Sequence, residues 1–166
     1  MDAQQLKDLQ APLKTAYRET PDRALITLRA QGRTGENVSC SVATGRALVE
    51  AGLHPATGGS GLQACSGDML LEALVACAGV TLNAVATALA LPLTGATIHA
   101  EGDLDFRGTL GVDKAVPVGF QSVRLRFDLE GDLTAEQKAQ LQKLTERYCV
   151  VYQTLRSPPQ IDVNFD

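Results

Sequence analysis

Residues 65–91 read CSGDMLLEALVACAGVTLNAVATALAL, and from Ala73 to Leu91 nineteen residues pass without a charge. A run of that length is long enough to cross a bilayer. It reads instead as the buried central helix of a water-soluble domain. Seven of the nineteen residues are alanine, and Thr81, Asn83 and Thr87 interrupt the rest. The flanking charges, Asp68, Glu72, Glu101 and Asp103, are all acidic, so nothing basic sets an orientation across a membrane. The pattern predicts a helix from about Gly67 to Leu91, stopped or kinked by Pro92. A helix with no polar face must be covered on every side. One modest curved sheet covers one side, so the other calls for a second copy of the chain, a homodimer with its central helices near the core.

Outward from this helix, the chain alternates in the manner of strands. PDRALITLRA places Ala24, Ile26 and Leu28 on one face, and NVSCSVAT places Val38, Cys40 and Val42 opposite Asn37, Ser39 and Ser41. In ATIHAEGDLDF, Ile98, Ala100, Leu104 and Phe106 point inward while His99, Glu101, Asp103 and Asp105 point outward. VGFQSVRLRFDLE alternates in two phases, and the slip at Gln121-Ser122 predicts a β-bulge. LTAEQKAQLQKLTERYCVVYQTL reads as one amphipathic helix, with Leu141, Leu144, Tyr148 and Tyr152 as its apolar stripe and Cys149 bordering it. Thr134 and Gln137 have capping-box spacing at its start. QIDVNFD reads as a last strand, with Ile161, Val163 and Phe165 on one face. The expected order is α-β-β-α-β-β-α-β, an α+β class in which an antiparallel sheet packs on a long buried helix.

The 166 residues suit a single domain, 1–166, with a helical segment at 1–22 that repeats apolar Leu6, Leu9, Leu13 and Tyr17. A net charge of −4, and no Lys or Arg between Arg46 and Arg107, give a nucleic-acid partner no electrostatic support. No signal-peptide core precedes residue 20, which points to the cytoplasm, where structural disulfides are rare. The four cysteines form no C-x-x-C, and His54 and His99 stand apart, so no metal is expected. Gly59-x-Gly61-x-x-Ala64 fits a dinucleotide fingerprint only as a string, since no βαβ series surrounds it.

Cys40 sits on the apolar face of its strand as a small buried hydrophobe. Cys65 precedes the central helix, whose dipole would favour its thiolate; otherwise it is an inert loop residue. Cys65 and Cys77 cannot bridge across an intact helix, because twelve residues span about 18 Å and a disulfide needs Cα atoms within about 7 Å. Cys77 is then either an inert core residue or one half of a couple whose other half lies elsewhere, with Cys149 on the second long helix as the candidate.

SGDMLLEALVACAGVTL resembles the central-helix signature of the osmotically inducible protein C and organic hydroperoxide resistance (OsmC/Ohr) superfamily. DLDFRGTLG, residues 103–111, resembles that family's Asp-x-Arg-Gly hairpin, and AEQKAQLQKLTERYCVVYQTL its C-terminal helix with a second cysteine. The three matches come in the family's order and run from about Gly58 to Leu155. The resemblance implies an OsmC-like dimer with active sites at the subunit interface, and thiol-dependent reduction of organic hydroperoxides without metal, flavin or haem. It implies Cys77 as the peroxidatic cysteine, Cys149 as the resolving cysteine, and an external dithiol as reductant.

The sequence departs from the pattern in two places. The usual Glu ten residues before the reactive cysteine is Gly67 here, with Asp68 beside it as the substitute. On an ideal helix Asp68 lies about half a turn away from Cys77, and Glu72 about 140° away, at ~100° per residue. Cys149-Val150 replaces the Cys-Pro of many members. The family's thiolate-holding arginine falls to Arg46, with Arg33 and then Arg107 behind it. The displaced carboxylate keeps two rival readings open: a non-enzymatic module of the same fold that binds a hydrophobic small molecule, and a redox sensor.

Overall fold

A computed structural model describes residues 3–35, 39–42 and 51–165. In chain order the elements are α1 (Ala3–Glu19), β1 (Leu25–Gly35), β2 (Ser39–Val42), α2 (Ser66–Ala88), β3 (Leu93–Asp105), α3 (Phe106–Thr109), β4 (Phe120–Gly131), α4 (Ala135–Tyr148) and α5 (Val150–Arg156). The strands form one sheet in the order β2-β1-β3-β4. β1 and β2 are antiparallel, with Thr34 opposite Cys40 and Gly32 opposite Val42. By their contacts the described residues fall into two compact units. The first draws on Met1–Ala30, Ala43–Glu72 and His99–Arg126, and the second on Gln31–Val42, Ala73–Ile98 and Phe127–Asp166.

The decisive stretch is a helix, as its pattern predicts, with shorter bounds. Met69 donates its N–H to the Cys65 carbonyl at 3.1 Å, so Cys65 occupies the N-cap position and Asp68 stands in the first turn, where the helix dipole favours a carboxylate. Pro92 is not what ends the helix. The stop comes at Ala88, and the closing residue is Ala90, left-handed at φ 49°, with Leu91 donating back to the Ala86 carbonyl at 2.9 Å. That is a Schellman closure with alanine where glycine is usual; Pro92 follows it. Leu71, Leu74, Val75, Ala78 and Leu82 of α2 are buried. Met69, Leu70, Ala73, Val80 and Ala84 are exposed, so within one chain the helix is covered on one side only.

In the first unit, Tyr17, Ala24, Phe106 and Leu110 form a core cluster, with Leu13, Ala16, Ile26 and Ala56 packed on it. The Tyr17 hydroxyl donates to the Ala56 carbonyl at 2.6 Å and ties α1 to the loop before α2. The first strand starts later than expected: Pro21–Ala24 is a one-turn 3-10 helix, and β1 begins at Leu25. On β3, Asp103 accepts from Thr27 of β1 and from Ser122 and Arg124 of β4. Those bonds, Arg124's first, hold its carboxyl well below the usual carboxylate range. Gly102 is required by a close approach, since a Cβ there would lie 2.4 Å from the Phe120 ring.

Asp105 overturns the alternation expected of β3. It is 3% exposed, not outward. It caps α3, accepting from the Arg107 N–H at 3.0 Å, and both its oxygens take the Arg107 guanidinium. Ion pairing with a residue two positions on lets a carboxylate share the apolar side with Phe106. The Arg107 hydrogen bonds lower its pKa, so the stability Asp105 supplies is present above its unfolded value of about 4 and is lost as pH falls through the lower folded value. Asp105→Ala is expected to cost about 2–3 kcal/mol at pH 7, the range for a cap and a hydrogen-bonded charge. Urea denaturation at pH 7 and pH 3 checks this: the gap between parent and variant should narrow in acid.

In the second unit, Thr134 and Gln137 form the predicted capping box, with both reciprocal bonds in place. The C-terminal stretch is two helices rather than one, parted at Cys149. The expected last strand is absent: residues 158–165 carry no regular structure, and Ile161, Val163 and Phe165 are 78%, 68% and 95% exposed. On β4 the half-buried positions change parity between Phe120 and Leu125, as the two-phase reading requires. Val118 lies before the strand and is exposed.

Candidate active site

Of three cysteines the side chains are described, and these three thiols are free: Cys65 and Cys77 half-buried, Cys149 buried. α2 runs unbroken from Ser66 past Cys77, so the separation that keeps Cys65 from Cys77 holds. Cys77 and Cys149 belong to the same compact unit, and the Cys77 thiol is among the groups that act on the Cys149 thiol. Cys77 is offered by α2 between Ala76 and Ala78, whose small side chains permit close approach.

The break between α4 and α5 is what delivers Cys149. Its backbone is extended, φ −71° and ψ 107°, and it serves as C-cap of α4 and N-cap of α5. Its N–H donates to the Thr145 carbonyl at 3.0 Å, and its carbonyl accepts from Gln153 N–H at 2.9 Å. The Gln153 side chain donates to the Glu146 carbonyl at 2.6 Å, satisfying an acceptor that the broken helix leaves open. Cys149 is 1% exposed and so faces the core, as its place beside the apolar stripe implies, whereas Tyr148, expected in the stripe, is exposed.

Burial pushes the Cys149 thiol up to about 11, against a pull downward from the Tyr152 and Val151 N–H groups. The Cys77 thiol also favours its protonated form. Cys149 is therefore a protonated thiol at neutral pH.

The other expected site residues lie as follows. Arg46 falls outside the described residues. Arg33 makes a two-point ion pair with Glu130, at 2.7 and 3.0 Å, on the exposed face of the sheet. Arg107 is taken by Asp105. Asp68 is not brought to Cys77: along a continuous helix, nine residues at 1.5 Å each set it about 13.5 Å down the axis. Its carboxyl is raised by burial and lowered by His54, and Glu72, one turn on, is raised by burial and by Asp68. His54 was expected to stand apart; its Nδ1 accepts the Ala56 N–H at 3.0 Å, which leaves the ring proton on Nε2, and the ring stacks on Phe106 with centroids 5.0 Å apart. The face of β2 on which Cys40 was placed is not among the described features. Among the described residues, no three His, Cys, Asp or Glu side chains converge as metal ligands would.

Sequence reading missed Glu130, the partner of Arg33. Both residues look like ordinary alternating strand positions, and only the sheet order, with β3 between their strands, brings them together. On β3 beneath this pair position 95 needs to be small: a Cβ at Gly95 would meet the Glu130 carboxyl at 2.8 Å.

Residues 59–164 match the profile of the family described as OsmC-like protein. No curated protein matches the chain in sequence. Among solved structures it is similar to the crystal structure of an OsmC-like hydroperoxide resistance protein from Jannaschia sp. CCS1. The TM-score is 0.60 and the identity 16%, over 83% of this chain and 91% of that one. At that identity the likeness is one of fold.

Proposed function

This chain belongs to the OsmC-like protein family and has its α+β fold, and from that premise we propose that it is a cysteine-based, thiol-dependent peroxidase acting on organic hydroperoxides. The observation that carries the reading is the pair of free thiols, Cys77 on α2 and Cys149 where α4 meets α5, within one compact unit. The Cys77 thiolate attacks the hydroperoxide oxygen: an S–O bond forms, the O–O bond breaks, and the alcohol leaves with a proton. Cys77 is then a sulfenic acid. Cys149 attacks that sulfur, an S–S bond forms, and water leaves. An external dithiol restores both thiols by exchange. No metal or organic cofactor enters these steps.

A cation beside Cys77 would favour its thiolate, the form that attacks a peroxide. The stretch from Ala47 to Phe106 holds no Lys or Arg. Arg107 and Arg33 are held by Asp105 and Glu130, which favours Arg46. Arg46→Ala is expected to slow peroxide consumption about tenfold, the size of one lost charge interaction of ~1.4 kcal/mol, while Arg33→Ala stays near the parent rate. Equal rates in Arg46→Ala and the parent would assign the cation elsewhere.

The exposed apolar side of α2 favours a homodimer, and light scattering at micromolar concentration tests it. A reducing cytoplasm, which keeps the couple available as thiols, suits this reaction. The reaction itself is tested by following cumene hydroperoxide with dithiothreitol or dihydrolipoamide as donor. No consumption above a cysteine-free variant would remove the enzymatic reading and leave the binding module or the sensor.

A further inference from the structure

Thr145 lies in the last turn of α4, four residues before Cys149, and is 3% exposed. Its hydroxyl oxygen is buried and has no hydrogen-bond partner among the described residues. A threonine inside a helix ordinarily turns its hydroxyl back to the carbonyl four residues earlier; this one does not. An unmade hydrogen bond on a buried hydroxyl is costly enough to ask what the group is for. Positions four apart on a helix are neighbours, with Cβ atoms roughly 5–6 Å apart, and the N–H of Cys149 still bonds the Thr145 carbonyl, so the two side chains share one column.

Building on the peroxidase reading above, we propose that the Thr145 hydroxyl donates a hydrogen bond to the Cys149 sulfur as it ionises to attack Cys77, making Thr145 a positioning residue for disulfide formation. The groups acting most strongly on the Cys149 sulfur are Cys77 from α2 and the Val151 and Tyr152 N–H groups from α5. None is a cation. The charged side chains on Thr145's own turn are engaged elsewhere: Glu146 accepts from Gln142 at 2.8 Å, and Arg147 lies over the Tyr148 ring at 5.4 Å. The attacking sulfur must shed its proton in an apolar setting, and the Thr145 hydroxyl, one helical turn earlier, is a buried donor with no partner among the described residues. In the step itself the Cys149 lone pair forms the S–S bond, the S–O bond of the Cys77 sulfenic acid breaks, and the hydroxide leaves as water with the proton that Cys149 gave up.

The test needs no peroxide. In a Cys40→Ser, Cys65→Ser background, Cys77 is converted to a mixed disulfide with Ellman's reagent. Attack by Cys149 then releases the coloured thiolate in a unimolecular step. Thr145→Val, which keeps the shape, is expected to slow release about tenfold at pH 7 and to move the pH–rate profile up by about one unit, with Thr145→Ser restoring both. Thr145→Ala gives the same reading if the valine variant fails to fold. A valine variant within twofold of the parent with an unmoved profile overturns the proposal and leaves the Cys77–Cys149 couple standing. So does a serine variant as slow as the valine, since that would assign the effect to the methyl group. No release from the parent would overturn the couple, and this proposal with it.

Discussion

Cys77→Ser is expected to abolish peroxide consumption outright while leaving the fold intact. The change swaps sulfur for oxygen at a half-buried helical position between two alanines, so the packing of Leu74, Val75 and Ala78 around it is kept. The chemistry is not kept. A serine hydroxyl is not ionised at neutral pH and forms no stable oxygen adduct with a peroxide, whereas a thiolate does both. The loss is expected to reach the background of free dithiol reacting with cumene hydroperoxide, read as alkyl hydroperoxide remaining by ferrous-xylenol orange. Circular dichroism and thermal unfolding close to the parent's would locate the loss at the sulfur. A Cys77→Ser variant that turns over at the parent's rate would transfer the activity to another cysteine and remove the reading proposed above.

The central helix was legible because its signal is one of composition and period. Nineteen uncharged residues ending near Pro92 can be little else in a chain with acidic flanks. The capping box at Thr134 and Gln137 was legible for a similar reason: both partners lie within one turn, and nothing distant competes for them. The misreadings share the opposite property. Asp105 looked outward because charge normally does, and it is buried because Arg107 answers it locally in a one-turn helix. The α4–α5 stretch looked like one helix because its apolar spacing continues across Cys149, and no proline or glycine marks the break. Ile161, Val163 and Phe165 have the pattern of a strand, but a strand also needs an edge to pair with, and pattern does not supply one. In the candidate site, the two cysteines were legible once continuous helix excluded Cys65. The burial of Cys149 at a helix break was not, because it depends on the backbone turning extended at one residue.

Cys149→Ser is expected to convert a cycling enzyme into one that reacts once per site and stops. The parent's second step joins two sulfurs of one compact unit, and it competes with attack by a further peroxide on the Cys77 sulfenic acid. Removing the Cys149 sulfur removes the faster branch. Cys65 cannot replace it, because the intact α2 holds it about 18 Å away from Cys77 along the axis. With dithiol present, consumption should fall to a single burst of about one equivalent per chain, followed by a rate set by direct attack of the external thiol on the sulfenic acid. With peroxide in excess, mass spectrometry should find two added oxygens on the Cys77 peptide in the variant. In the parent it should find a Cys77–Cys149 cross-link within one chain. The helix break itself is kept in the variant, since the Thr145 and Gln153 backbone bonds that shape it involve the main chain of residue 149, not its side chain. Sustained turnover in Cys149→Ser at the parent's rate, or a dominant cross-link to Cys65 or between chains in the parent, would show that Cys149 does not resolve Cys77.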